Sequence, residues 1–119
     1  MTQSKPQIKF TVNDYMTTPP DKRYQLLDGE LILAPAPIVY HQTLAIRLAV
    51  ALERFVTEND LGRVWFAPSD VVLSNYDGVQ PDILFVSHAR SSIITEANIQ
   101  GAPDLVVEIL STTTAQYDR

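Results

Sequence analysis

The sequence predicts a mixed α+β domain. Three features predict it: an Asp28-Gly29 pair between two apolar runs, a long stretch of helical periodicity over residues 38 to about 59, and two late apolar runs that each carry an acid, Asp82 and Glu108. Asp-Gly supplies the positive backbone angles that a two-residue hairpin requires, so residues 24–27 and 30–33 read as paired strands, closed by Pro35 and Pro37. Upstream, residues 1–10 are polar, Thr11 can cap a short helix through Met16, and Pro19-Pro20 must end that helix. The domain proper starts near Lys22, which divides the chain into an N-terminal segment, 1–21, and a folded domain, 22–119.

In the helical stretch Leu44, Leu48, Leu52 and Phe55 fall along one face with Ala45, Ala51 and Val56 beside them, while Arg47, Arg54 and Glu58 occupy other sides. Leu61-Gly62 fits a glycine stop, after which residues 63–66 and 71–73 resume as β runs around Pro68. Tyr76-Asp77-Gly78 reads as the turn into the next strand, residues 82–86, which is apolar enough to be buried on both faces. Residues 87–103 are mixed, with a short helix expected around Ile93 to Ile99 and a stop at Gly101. Residues 104–110 are the most strand-like segment, and Ser111 to Thr114 would cap a following helix.

Composition bounds the function. With 119 residues, 45% hydrophobic and 19% charged, the chain fits one small core. No run of about 18 apolar residues is present and the first ten residues lack a secretory signal, so a cytoplasmic protein with no membrane partner is expected. The absence of cysteine excludes disulfides, thiolate zinc sites and a cysteine nucleophile, and two histidines are too few for an all-histidine metal site. A bound metal would therefore take mostly oxygen ligands, which suits magnesium, manganese or calcium. A net charge of −5 argues against strong non-specific nucleic-acid binding, yet leaves room for a nuclease whose metal offsets local negative charge.

Strand alternation puts Val106, Glu108 and Leu110 on one face, so Glu108 interrupts an apolar surface, and a buried unpaired carboxylate must neutralise, find a cation or face water. Two readings of Glu108 stand: a metal ligand, or a charged residue guarding an edge strand or pairing with Arg63. Asp82 follows Pro81 at a strand entrance, where it is either ordinary turn chemistry or the second acid of a site. If the two strands are neighbours, both carboxylates converge at one edge of the sheet and form the minimum oxygen shell for Mg²⁺. Asp28 reads as a turn residue and Asp104 as a loop residue. His41, at the start of the long helix, either orients a water or phosphate or packs a helix end. Glu30 either points to the same edge or is solvated. Trp65 and Phe66 read as core, and neither a phosphate-binding glycine loop nor a nucleophile elbow is present.

The order Tyr24-Gln25-Leu26-Leu27-Asp28-Gly29-Glu30-Leu31, His41 opening a helix, Pro81-Asp82 before a strand, and Ala102-Pro103-Asp104-Leu105-Val106-Val107-Glu108-Ile109-Leu110-Ser111 resembles the Uma-type endonucleases of the restriction-endonuclease-like PD-(D/E)XK superfamily. The resemblance runs from about Tyr24 to the last residue. It implies a mixed sheet flanked by helices, Asp82 and Glu108 as catalytic ligands of Mg²⁺ or Mn²⁺, His41 close to the site, and DNA as substrate. Three departures stand out. Gln25 replaces a common glutamate, Thr112 a common proline, and no lysine follows Lys22, whereas the resemblance places a catalytic lysine a few residues past Asp118. The expectation is thus a C-terminally truncated member, incomplete at the far edge of its sheet and weak or inactive. The alternative is a non-catalytic remnant of the fold that covers its open edge by forming a homodimer.

Overall fold

The computed structural model describes residues 8–19, 21–34 and 38–110. The positions expected at Pro20, Pro35, Pro37 and Ser111 to Thr114 lie outside the described residues. Helix α1, Val12–Met16, begins where the threonine cap was expected: the Thr11 N–H donates to Asp14 Oδ2 at 2.8 Å. It ends before the prolines, because the Thr17 and Thr18 hydroxyls each donate at 2.9 Å to a backbone carbonyl of the last turn. Tyr15 is buried, and its ring lies against Gly78, where an added Cβ would meet Cε2 at 2.8 Å.

Strands β1, Arg23–Leu27, and β2, Glu30–Ala34, form the expected hairpin. Asp28 and Gly29 both hold positive φ, 48° and 79°, as the tight turn demands. Helix α2, Val39–Glu58, runs 20 residues. Its packed stripe follows the face read from periodicity only in part, with Leu44 half-buried as expected. Ala49 and Val56 are buried and His41, Ala45 and Leu52 half-buried, whereas Leu48 and Phe55 remain 46% and 57% exposed. Both stripes repeat at helical spacing, and the one with small residues lets the backbone approach β3 closely.

Strand β3, Gly62–Phe66, is followed by β4, Val71–Ser74, β5, Asp77–Val79, and β6, Ile83–Ser87. The expected turn at residues 76–78 is thus corrected: residues 75 and 76 turn the chain, and β5 pairs with both β4 and β1. The expected helix at residues 93–99 is absent. A 3₁₀ segment, His88–Ile93, comes earlier, and Ile94 bridges to Ile99 around a turn in which the Thr95 N–H donates to the Asn98 carbonyl at 2.9 Å. Two β-branched residues, Ile94 and Thr95, favour that extended course over a helix. Strands β7, Ile99–Gln100, and β8, Leu105–Val107, follow.

Two sheets result. One has the order β2-β1-β5-β4-β7, antiparallel except for β4 with β7; the other, β3-β6-β8, is antiparallel throughout. Val71 and Ile99 of the first pack against Leu84 and Val86 of the second, with Trp65 at the margin. The buried strand expected at residues 82–86 is the central strand β6, and helix α2 lies against β3 on the same sheet. No helix among the described residues is long and apolar enough to cross a membrane.

Candidate active site

The site forms where β6 begins and β8 ends. Residues Ile83, Leu84 and Phe85 pair with Val107, Val106 and Leu105, and the same register carried one step further sets Asp82 opposite Glu108. Cross-strand neighbours share a face, so register alone brings the two acids together. Asp82 is held on both oxygens. The Ile109 N–H donates to Oδ2 at 2.7 Å, and His41 Nε2 stands 3.2 Å from Oδ1, with side-chain exposures of 14% for His41 and 9% for Asp82. The other ring nitrogen, Nδ1, is buried and has no hydrogen-bond partner among the described residues.

The two acids differ from each other in burial. Asp82, readable as turn chemistry, is the buried one. Glu108 lies just beyond the β8 ladder, and Val106 and Leu110 on its face are exposed, so it does not interrupt a buried apolar surface. Even so, partial burial of its carboxyl group, then the charge of Asp82 and a hydrogen bond shared with it, hold Glu108 above the ordinary carboxylate range, against the opposing pull of Arg23 and His41.

Other candidates fall elsewhere. Arg63 lies over the Trp65 ring, 5.1 Å from its centroid, and does not pair with Glu108. Asp28 is a turn residue bound to Lys9 at 3.1 Å, and Asp104 accepts the Ser87 N–H at 2.7 Å. Glu30 is exposed in the β1–β2 hairpin and Gln25 sits half-buried opposite Ile32, neither bonded to the acid pair. Missed in the sequence was Arg23, whose charge reaches Glu108 and whose side chain lines a cavity of about 350 Å³ together with His41 and Asp82. It opens β1 like any basic residue at a strand end, and only the sheet order brings it to the acids.

The donor set suits a hard divalent cation. Two mutually repelling carboxylates, one raised by the other's charge, match the one or two that Mg²⁺ takes from a protein. Among the described residues no group of three or more histidine, cysteine or acidic side chains is arranged to hold a metal, so of such side chains described there only Asp82 and Glu108 would serve.

Comparison with known proteins sets first the class, then the family. A crystal structure of "a putative nuclease belonging to DUF820" from Anabaena variabilis ATCC 29413 shares the fold with a TM-score of 0.69 at 19% identity, over 92% of this chain and 65% of that one. The mixed α+β architecture is therefore that of a nuclease-like fold, and the chain spans 65% of that relative's length. The model of the Uma2 family, described as "Putative restriction endonuclease", matches residues 12–119, and the protein belongs to that family. No curated protein matches the chain.

Proposed function

We propose that the protein is a metal-dependent endonuclease acting on DNA phosphodiester bonds in the cytoplasm, with Asp82 and Glu108 as ligands of Mg²⁺ or Mn²⁺. The observation that carries this reading is the register-paired acids, one buried and fixed on both oxygens. A divalent cation there supplies charge neutralisation at the phosphate and activation of the attacking water. His41 and the Ile109 N–H hold the Asp82 carboxylate in one orientation, which spares the site the entropy of ordering it at each turnover. Turnover should be weak, because the cation placed beside the acids is Arg23, which is too basic to exchange a proton at neutral pH. Among the described residues Lys9 is occupied by Asp28 and Tyr76.

Plasmid nicking in Mn²⁺ tests the reading: it should be measurable in the parent and lost in Asp82→Ala. Calorimetric titration with Mn²⁺ should show binding that disappears in Glu108→Ala. A parent that binds no Mn²⁺ would sink the metal site.

One observation favours a second reading, the self-associating module. A groove of about 790 Å³ between α2 and the edge strand β3 is lined by Ile46, Val50, Trp65 and Phe66 together with Glu53 and Arg63. Apolar surface beside a strand edge that is unpaired among the described residues, with both charge signs present, can be self-complementary under twofold symmetry. Light scattering at micromolar concentration should then give a dimer, and Val50→Glu a monomer. A monomeric parent overturns this reading.

A further inference from the structure

The cavity beside Asp82 is lined by both polar and apolar side chains. Arg23, His41, Gln42 and Asp82 are its polar lining, and Ala45, Ile46 and Phe66 belong to its apolar lining. At about 350 Å³ it falls at the lower end of the volumes that small-molecule ligands fill, about 300–1,000 Å³. Arg23 is half-buried, and only its Nε–H is engaged, donating to Gln80 Oε1 at 3.3 Å. Gln80 is itself anchored: its amide donates to Asp70 Oδ1 at 2.8 Å, and the Tyr15 hydroxyl donates to the same oxygen at 2.7 Å. Burial, then the hydrogen bond and charge of Asp70, raise the Tyr15 phenol above its ordinary value, so it stays protonated as a donor.

This relay fixes the guanidinium and leaves its terminal Nη donors open, while its charge acts on Glu108 without a direct ion pair. Among the described residues Arg23 has no ion pair, and its terminal Nη donors have no hydrogen-bond partner. A half-buried cation without a carboxylate partner is costly unless an anion completes it. The guanidinium fork matches a phosphate through two parallel N–H bonds, a geometry lysine lacks. Phe66, largely exposed in the apolar lining, offers an apolar face to the sugar or base attached to that phosphate.

We propose that this cavity is a phosphodiester-binding subsite in which Arg23, held in place by Gln80, Asp70 and Tyr15, clamps a substrate phosphate beside the acid pair. The proposal rests on the nuclease reading and adds to it the group that receives the substrate's charge.

Fluorescence anisotropy with a short DNA duplex in Ca²⁺, measured across salt concentrations, tests it. Arg23→Ala should weaken binding about tenfold and lower the slope of log K against log salt by about 0.9, the loss of one phosphate contact. Arg23→Lys should restore the slope but only part of the affinity, because a point charge replaces a fork. Gln80→Ala, which removes only the positioning contact, should keep the slope and lose a few-fold in affinity. Arg23→Gln, of similar length, repeats the Arg23→Ala result should that variant fold poorly, with melting curves recorded for all. Binding by Arg23→Gln at the parent's affinity and slope overturns the subsite, as does a parent that binds no duplex. Nicking that depends on Asp82 while Arg23→Gln binds like the parent removes the subsite and leaves the nuclease. Loss of binding in Arg23→Gln with nicking indifferent to Asp82→Ala removes the nuclease assignment and leaves the subsite.

Discussion

Helix α2 and strand β6 are tied together at both ends by a histidine and an aspartate, and the two ties differ in kind. At one end His41 meets Asp82 at 3.2 Å with side-chain exposures of 14% and 9%; at the other, His88 meets Asp60 at 2.9 Å with exposures of 58% and 94%. The shorter contact is the weaker one energetically. Exposed ion pairs of this sort contribute about 0–1 kcal/mol, because water competes for both partners and holding two side chains costs entropy. The buried carboxylate is also the acceptor for a backbone N–H, so its removal leaves donors stranded. Burial and shared partners separate a functional pair from a surface one; distance does not.

Substitutions along β6 can break that contrast, beginning with the strand interior. Ile83→Ala, at a fully buried position beside Asp82, should destabilise by about 2–5 kcal/mol in denaturant titration, from lost transfer energy and the cavity left behind. Asp82→Ala should cost about 1–3 kcal/mol, with the Ile109 N–H and His41 left unpaired, and Asp82→Asn should recover part of it. Asp60→Ala at the exposed end should stay within about 0.5 kcal/mol of the parent. A loss there equal to that of Asp82→Ala would erase the distinction between the two ends.

The smallest effect concerns pH and two exposed carboxyl groups, Asp104 and Asp77. The Ser87 N–H donates to Asp104 and holds that carboxyl below its ordinary value; the Ser74 hydroxyl and then the Asp28 N–H do the same for Asp77. A depressed folded-state pKa means that the contribution is fully present above the unfolded value, about 3.9, and is lost as pH falls through the lower folded value. The denaturation midpoint should therefore drop below about pH 4, and Asp104→Asn should flatten part of that drop. An unchanged acid slope in the variant would count against the Ser87 bond as its source.

Local rules made the hairpin, α2 and β6 legible, because Asp28-Gly29, helical periodicity and an unbroken apolar run each act over a few residues. What escaped was decided across the fold. The leucine row and the alanine row of α2 are equally periodic, and only the sheet selects between them. Strand β5 is three residues long, with a glycine kept bare by the Tyr15 ring, so its sequence reads as a turn. At the site, the sequence nominated the acids and left their surroundings open: Asp82, readable as turn chemistry or as the start of a buried strand, is buried, and Glu108, which had to neutralise, find a cation or face water, lies on an open face. Arg23 carried no local signal at all, since 57 positions separate it from Gln80, its hydrogen-bond partner.

The bond from the Ile109 N–H to Asp82 gives the site a clock of its own. That amide lies two positions beyond β8, which among the described residues is an edge strand held to β6 by three register pairs. An edge held by so few pairs is expected to open before the core between the sheets, and such an opening would part the acids without unfolding the protein. The exchange of one backbone hydrogen, read against those of β6, therefore times how often the two carboxylates part company.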